Sequence, residues 1–346
     1  MLRTGLFLLL LFFLFPGDVL ALKDYNVGFK TIGYAFPEKG FRLDVNVWYP
    51  STRKARELNY PPWTFSAARD AKPADGLFPL LILSHPSPGN RFSCHDTCTW
   101  LAKQGYIVAA PTHHEDCMDN MQQIFTWEQL KTRATDIRRL IDFLPNHKEL
   151  GASIDTENIG IIGFGAGGTA ALLLGGAQPD CITWSDYCVK AGQKDDYCKA
   201  WAREKINTIC MEFPLKKSLA DPRVKALAIL SPGFGMLFSP QSFKKFTPPL
   251  LVLSAGSDTL NNYRFHADTI AGYVRERART VFLPDADLGS LMAPCPESLA
   301  RELSELCRSV TPRERNSIHR RMWEVLGSFM GEELKKGYHK KSAAQP

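Results

Sequence analysis

Beyond its first residues the chain has no stretch approaching ~18 uninterrupted apolar residues, so it offers no membrane-spanning helix there. It has no internal repeat, and no low-complexity tract outside its last residues, which excludes solenoid and propeller arrays. Charge of one sign is scarce as well. Forty-two Lys and Arg against 36 Asp and Glu leave +6, spread along the chain, and this gives no basis for nucleic-acid binding. Between Ser153 and Cys181 there is neither serine nor cysteine. That gap contains a glycine-rich turn, Gly163-Phe164-Gly165-Ala166-Gly167-Gly168, so no serine or thiol nucleophile sits in it.

What is present begins with Met-Leu-Arg-Thr-Gly, an apolar run from Leu6 to Phe15, and the small-residue site Val19-Leu20-Ala21. This is the pattern of a signal peptide, residues 1–21, cleaved after Ala21. Ten apolar residues rise only about 15 Å as a helix, roughly half a hydrocarbon core, which argues against an anchor. Removal takes away Arg3 and Asp18, so the net charge of +6 persists in a secreted or periplasmic chain. All nine cysteines follow Ala21, and an exported chain with this many is expected to form disulfides, the odd count leaving at least one thiol. Spacing does not fix the connectivity. The expected pairs are Cys295 with Cys307, Cys188 with Cys198 and Cys181 with Cys210, with Cys94, Cys98 and Cys117 competing for one more.

Short apolar runs alternate with segments of helical period, the signature of an α/β fold with a doubly wound, mostly parallel sheet. Strands are predicted at 24–36, 41–50, 78–84, 106–110, 158–163, 224–230, 249–254 and 279–283, the first two antiparallel. A surface helix is predicted over 126–144, with Leu130, Ile137, Leu140, Ile141 and Leu144 inward and Lys131, Arg133, Arg138 and Arg139 outward. A last helix is expected over about 313–334, with Ile318, Met322, Val325, Leu326 and Phe329 buried. The alternation breaks at about 178–222, where four cysteines, Trp184 and Trp201 suggest an inserted, disulfide-stapled lid. One domain over 22–334 and a basic, disordered tail over 335–346 complete the organisation.

The turn at Gly163 to Gly168 admits two readings. Gly163, Gly165 and Gly168 satisfy the G-x-G-x-x-G dinucleotide fingerprint, in which a helix N-terminus receives a pyrophosphate. Alternatively, Gly163 and Gly167 are the flanking glycines of a G-x-S-x-G nucleophile elbow with glycine at position 165. Context favours the elbow. Several strands precede the turn, and Asp186, which has the spacing of a ribose-binding acid, has no strand leading to it.

The ordered set of Trp48-Tyr49-Pro50, Ser84-His85-Pro86-Ser87-Pro88-Gly89-Asn90-Arg91, Gly105 to Pro111, and Arg133, Asp136, Ile137 and Arg138 resembles the bacterial branch of the platelet-activating factor acetylhydrolase and dienelactone hydrolase group of α/β-hydrolases. Leu230-Ser231-Pro232-Gly233, Leu251 to Asp258 and Leu283 to Cys295 continue the resemblance. It implies an α/β-hydrolase fold. It also implies that Asp258 stands at the catalytic acid, Gly165 at the nucleophilic serine and Leu288 at the general-base histidine. The oxyanion loop departs too, with Pro86 and Pro88 at glycine positions, while Ser87 and Ala166 keep the positions of the backbone donors.

A pseudo-hydrolase is therefore expected, without a cofactor, keeping a cleft for a small acyl or lipid-like ligand or a lid that meets a protein partner. The alternatives are an active carboxylic-ester hydrolase with another nucleophile, for which Ser84 and Ser87 beside His85 are the nearest hydroxyls, and a dinucleotide-binding protein. Asp258 reads as a turn former, and His113-His114-Glu115-Asp116-Cys117 as a polar loop rather than a metal site, since consecutive residues seldom face one ion.

Overall fold

The computed structural model describes residues 25–36, 41–192, 195–212, 218–307 and 309–335. The expected signal peptide and the tail from 336 onward lie outside them. One sheet contains β1 (Asn26–Phe36), β2 (Phe41–Ser51), β3 (Arg56–Tyr60), β4 (Trp63–Arg69), β5 (Phe78–Ser84), β6 (Ile107–Pro111), β7 (Ile154–Phe164), β8 (Val224–Leu230), β9 (Leu250–Ala255) and β10 (Ala278–Leu283). Its order is β10-β9-β8-β7-β5-β6-β2-β1-β4-β3. Pairings from β10 across to β6 are parallel, and β2 joins β6 antiparallel.

Both faces of this sheet are covered, which is why its central strands are apolar throughout. Along β5, Leu80 and Ile82 enter one core while Leu81 and Leu83 enter the other. The first core is closed by α2 (Trp127–Phe143) and α3 (Ala166–Leu174), the second by α1 (His95–Lys103) and the long C-terminal helix (Pro312–Leu334). That last helix starts at a capping box between Thr311 and Glu314 and buries Ile318, Met322, Leu326 and Phe329 as its periodicity predicts, whereas Val325 is only half-buried. Lys335, expected as the first residue of the tail, belongs to the body: its ammonium donates to the Gln104 carbonyl at 2.6 Å and lies over the Tyr106 ring. Among the described residues no helix is long and apolar enough to cross a membrane.

Three sequence expectations need correction. The hairpin β3–β4 is an addition, in which Trp63, Phe65 and Ala67 alternate inward onto the second core. Arg133 is not on the outer surface of α2 but wholly buried. Cys94, Cys98 and Cys117 form no fourth bridge; all three are buried thiols, and Cys94 and Cys98 fill the second core as small apolar side chains. The other six cysteines pair as Cys181–Cys210, Cys188–Cys198 and Cys295–Cys307.

Between α3 and β8 lies the insertion, with α4 (Trp184–Ala191) and α5 (Ala200–Glu212). Its two disulfides staple it internally, but it does not stand apart from the body: Tyr187, Tyr197, Ile206 and Ile209 join the first core. The remaining helices are α6 (Ala267–Val274), the short α7 (Leu288–Leu291), α8 (Glu297–Glu302) and α9 (Ser304–Cys307), after which the C-terminal helix is α10.

Candidate active site

At the C-terminal end of β7 the chain turns through Gly165 into α3 with φ 54° and ψ −120°. The turn is tight because its flanking residues lack side chains. A Cβ on Gly163 would stand 2.2 Å from the Gly167 carbonyl oxygen, and one on Gly167 would stand 2.3 Å from that of Ser84. Gly165 differs. A Cβ there would meet only ordinary contacts, Leu288 Cδ2 and Pro86 Cβ at 3.5 Å each, so the space for a side chain exists and only the backbone conformation resists one.

Leu288 opens α7 behind the N-cap Asp287 and is buried against this turn. Asp258 follows β9 and is buried too. Its Oδ1 accepts the amides of Leu260 and Asn261 at 2.9 and 2.8 Å, and its Oδ2 accepts the Ser231 hydroxyl. Burial raises its carboxyl above the usual range, an effect that these hydrogen bonds oppose. Gly165, Ala166, Ser87 and Leu288 line one cavity of about 280 Å³, whose wall continues through Leu260 and Asn261 into Phe125, Phe234 and the insertion residues Tyr197 and Trp201. The fold thus gathers Gly165, Leu288, Ser87 and Ala166 at one cleft, while Asp258 is not on its lining but accepts the amides of the lining residues Leu260 and Asn261.

Sequence reasoning missed a second constellation. Ser84 Oγ lies 2.9 Å from His113 Nε2, and His113 Nδ1 lies 3.0 Å from Asp136 Oδ2, a serine–histidine–aspartate chain. All three side chains are fully buried. Arg133 also donates to Ser84 Oγ at 3.3 Å, to the His85 and Pro86 carbonyls, and to Asp116. Asp116 in turn accepts from Ser87 and from Gln129 Nε2 at 2.9 Å. The network pins the Ser84–Pro88 loop to α2. Burial lowers both His85 and His113 well below the ordinary imidazole range, with the Arg133 charge adding to it, so both are neutral. His85 Nδ1 bonds the Pro86 carbonyl at 2.7 Å and its Nε2 accepts the His113 amide at 3.1 Å, while His114 turns outward to Glu115. The available signal was Arg133 and Asp136, a charged pair three residues apart among the apolar positions of a helix.

The dinucleotide reading loses its acidic partner here: Asp186 is exposed in the first turn of α4, not at a strand end. Thr169 is buried within α3 and donates to the Gly233 carbonyl at 2.9 Å.

Residues 67–182 match the model of the dienelactone hydrolase family. Among solved structures, a ferulic acid esterase from Streptomyces cinnamoneus superposes with a TM-score of 0.57 at 16% identity, over 90% of this chain and 91% of that one. No curated protein matches the sequence. The chain has an α/β-hydrolase-like fold over nearly its whole length, and within it residues 67–182 are similar to the dienelactone hydrolase family.

Proposed function

We propose that this chain is an exported pseudo-hydrolase that holds a small molecule in its cleft without cleaving an ester. The observation that carries the reading is the elbow: Gly165 stands at the tip in the strained conformation reserved for a nucleophile, and Leu288 packs where a base would approach it. A backbone donor at Ala166 has no oxyanion to stabilise when nothing attacks the carbonyl. Export is supported by the N-terminal pattern of residues 1–21 and by the three disulfides. The insertion, with its Tyr197 and Trp201 on the cleft wall, serves as a lid over the ligand.

A second reading, an active carboxylic-ester hydrolase, draws on the Ser84–His113–Asp136 chain. Geometry disfavours it, because Ser84 has no exposure and already receives a hydrogen bond from Arg133. A fluorophosphonate probe, which captures activated serines, separates the two. No adduct is expected on the mature protein. An adduct mapped to Ser84, or to any other serine, would establish an active nucleophile and overturn the proposal.

A further inference from the structure

The walls of the cleft say what kind of molecule it takes. Its volume of about 280 Å³ is roughly twice that of a cavity that holds benzene, room for one or two rings but not for a long chain. Phe125 on its wall is stacked on Trp201 at 5.2 Å and set edge-on to Phe234 at 5.8 Å. Tyr197 completes the cluster, 5.0 Å from Phe125 and 5.3 Å from Phe234.

The polar groups on the same wall are already engaged. Tyr197 donates to Asn261 Oδ1 at 2.8 Å. Gln129 is held by Asp116 and by the Phe125 amide, and Ser87 by Asp116. Lys199, the cation of the lining, is ion-paired with Asp196. Among the described residues a charged ligand would meet no unpaired counter-charge on this wall, whereas Asn261 Nδ2 donates no hydrogen bond and can meet one oxygen of a neutral ligand.

We propose that the cleft binds a neutral aromatic molecule of one or two rings bearing a single hydroxyl or carbonyl oxygen, with Trp201 of the lid as its stacking partner. This rests on the reading of the cleft as a binding site and sharpens it from acyl or lipid-like ligands to aromatic ones. Trp201 is 48% exposed, so it offers a free aromatic surface at the mouth.

The test is calorimetric titration of the mature, oxidised protein with 2-naphthol, 2-naphthoate and octanoate. Binding of 2-naphthol in preference to both others is expected, with ~3- to 10-fold weakening in Trp201→Ala and near-complete recovery in Trp201→Phe. Tighter binding of octanoate or 2-naphthoate would overturn the aromatic, neutral assignment while leaving a binding cleft in place. So would 2-naphthol affinity unchanged in a folded Trp201→Ala protein. Failure of all three probes to bind would overturn the cleft reading itself.

Discussion

The hydroxyl of Ser231 donates to Oδ2 of Asp258, so this carboxylate, proposed to stand at the acid position, is satisfied from within the protein. With Oδ1 held by two backbone amides, the acid has been absorbed into a turn. On the proposed reading, ester hydrolysis at the Gly165 turn therefore needs more than one change. Gly165→Ser alone is expected to stay at background on a small activated ester, because serine is a weak nucleophile without a base. Adding Leu288→His should raise the rate by at least ~100-fold over that single mutant. Adding Ser231→Gly should raise it again by releasing Oδ2 to orient the imidazole, while Asp258→Asn in its place should depress it. A triple mutant no faster than the double would show that Ser231 does not compete for the acid. A folded but inert double mutant would move suspicion to the Pro86–Pro88 loop.

Position 165 also makes a stability prediction. With contacts no closer than 3.5 Å, a new side chain meets backbone strain rather than a clash. Gly165→Ala and Gly165→Ser should each cost about 1–3 kcal/mol, read as a lower melting temperature in oxidising buffer. Equal melting temperatures for wild type and both variants would contradict the observed turn geometry.

How much of this was legible in the sequence differs between elements. The eight strands read from apolar runs are all in the sheet, because strands buried on both faces cannot avoid declaring themselves. The β3–β4 hairpin escaped because the edge strand Arg56–Tyr60 is mostly polar and β4 turns only one face inward, that of Trp63, Phe65 and Ala67. Gly165 and Leu288 were singled out by the order of surrounding segments, and the structure brings both to one cleft. The Ser84–His113–Asp136 chain was not, since it is assembled from two strand ends and a helix, and nothing local in the sequence says that those three side chains meet. The wall of the cleft was likewise hidden: Phe125, Tyr197 and Phe234 lie far apart in sequence and converge only when the insertion folds back.

Acid should loosen the lid. His266 is buried, its Nδ1 accepting the Gly235 amide at 3.0 Å and its Nε2 facing the hydroxyl of the lid residue Tyr187 at 3.2 Å, and burial lowers its pKa to about 3. The unfolded chain then binds a proton that the folded one refuses, so this contribution is complete above about pH 6.5 and declines as pH falls toward 3. At pH 5 the loss is about 2 kcal/mol from this histidine alone. His85 and His113 act in the same direction, and Asp258, whose carboxyl is raised, acts in the opposite one. Unfolding free energies at pH 7.5, 6 and 5 should fall in that order, with a shallower fall in His266→Gln. An identical pH dependence in that variant would refute the assignment.

The thiols give a chemical check on the packing. Non-reducing peptide mapping should return the three pairs Cys181–Cys210, Cys188–Cys198 and Cys295–Cys307. Cys94, Cys98 and Cys117 should react with iodoacetamide only after denaturation, since all three are buried and burial holds the first two thiols well above their usual range. Rapid alkylation of Cys94 or Cys98 in the native protein would mean that α1 does not pack these residues into the second core.

The proposed loss of catalysis at the Gly165 turn is tested most directly by turnover of a small activated ester, with the mature wild-type protein measured beside its heat-denatured form and the Gly165→Ser, Leu288→His double mutant. Wild type is expected to match the denatured control while the double mutant exceeds it. Wild-type turnover well above the control, unaffected by Asp258→Asn and abolished by substitution of another serine, would contradict both the loss of catalysis and the placement of the triad positions.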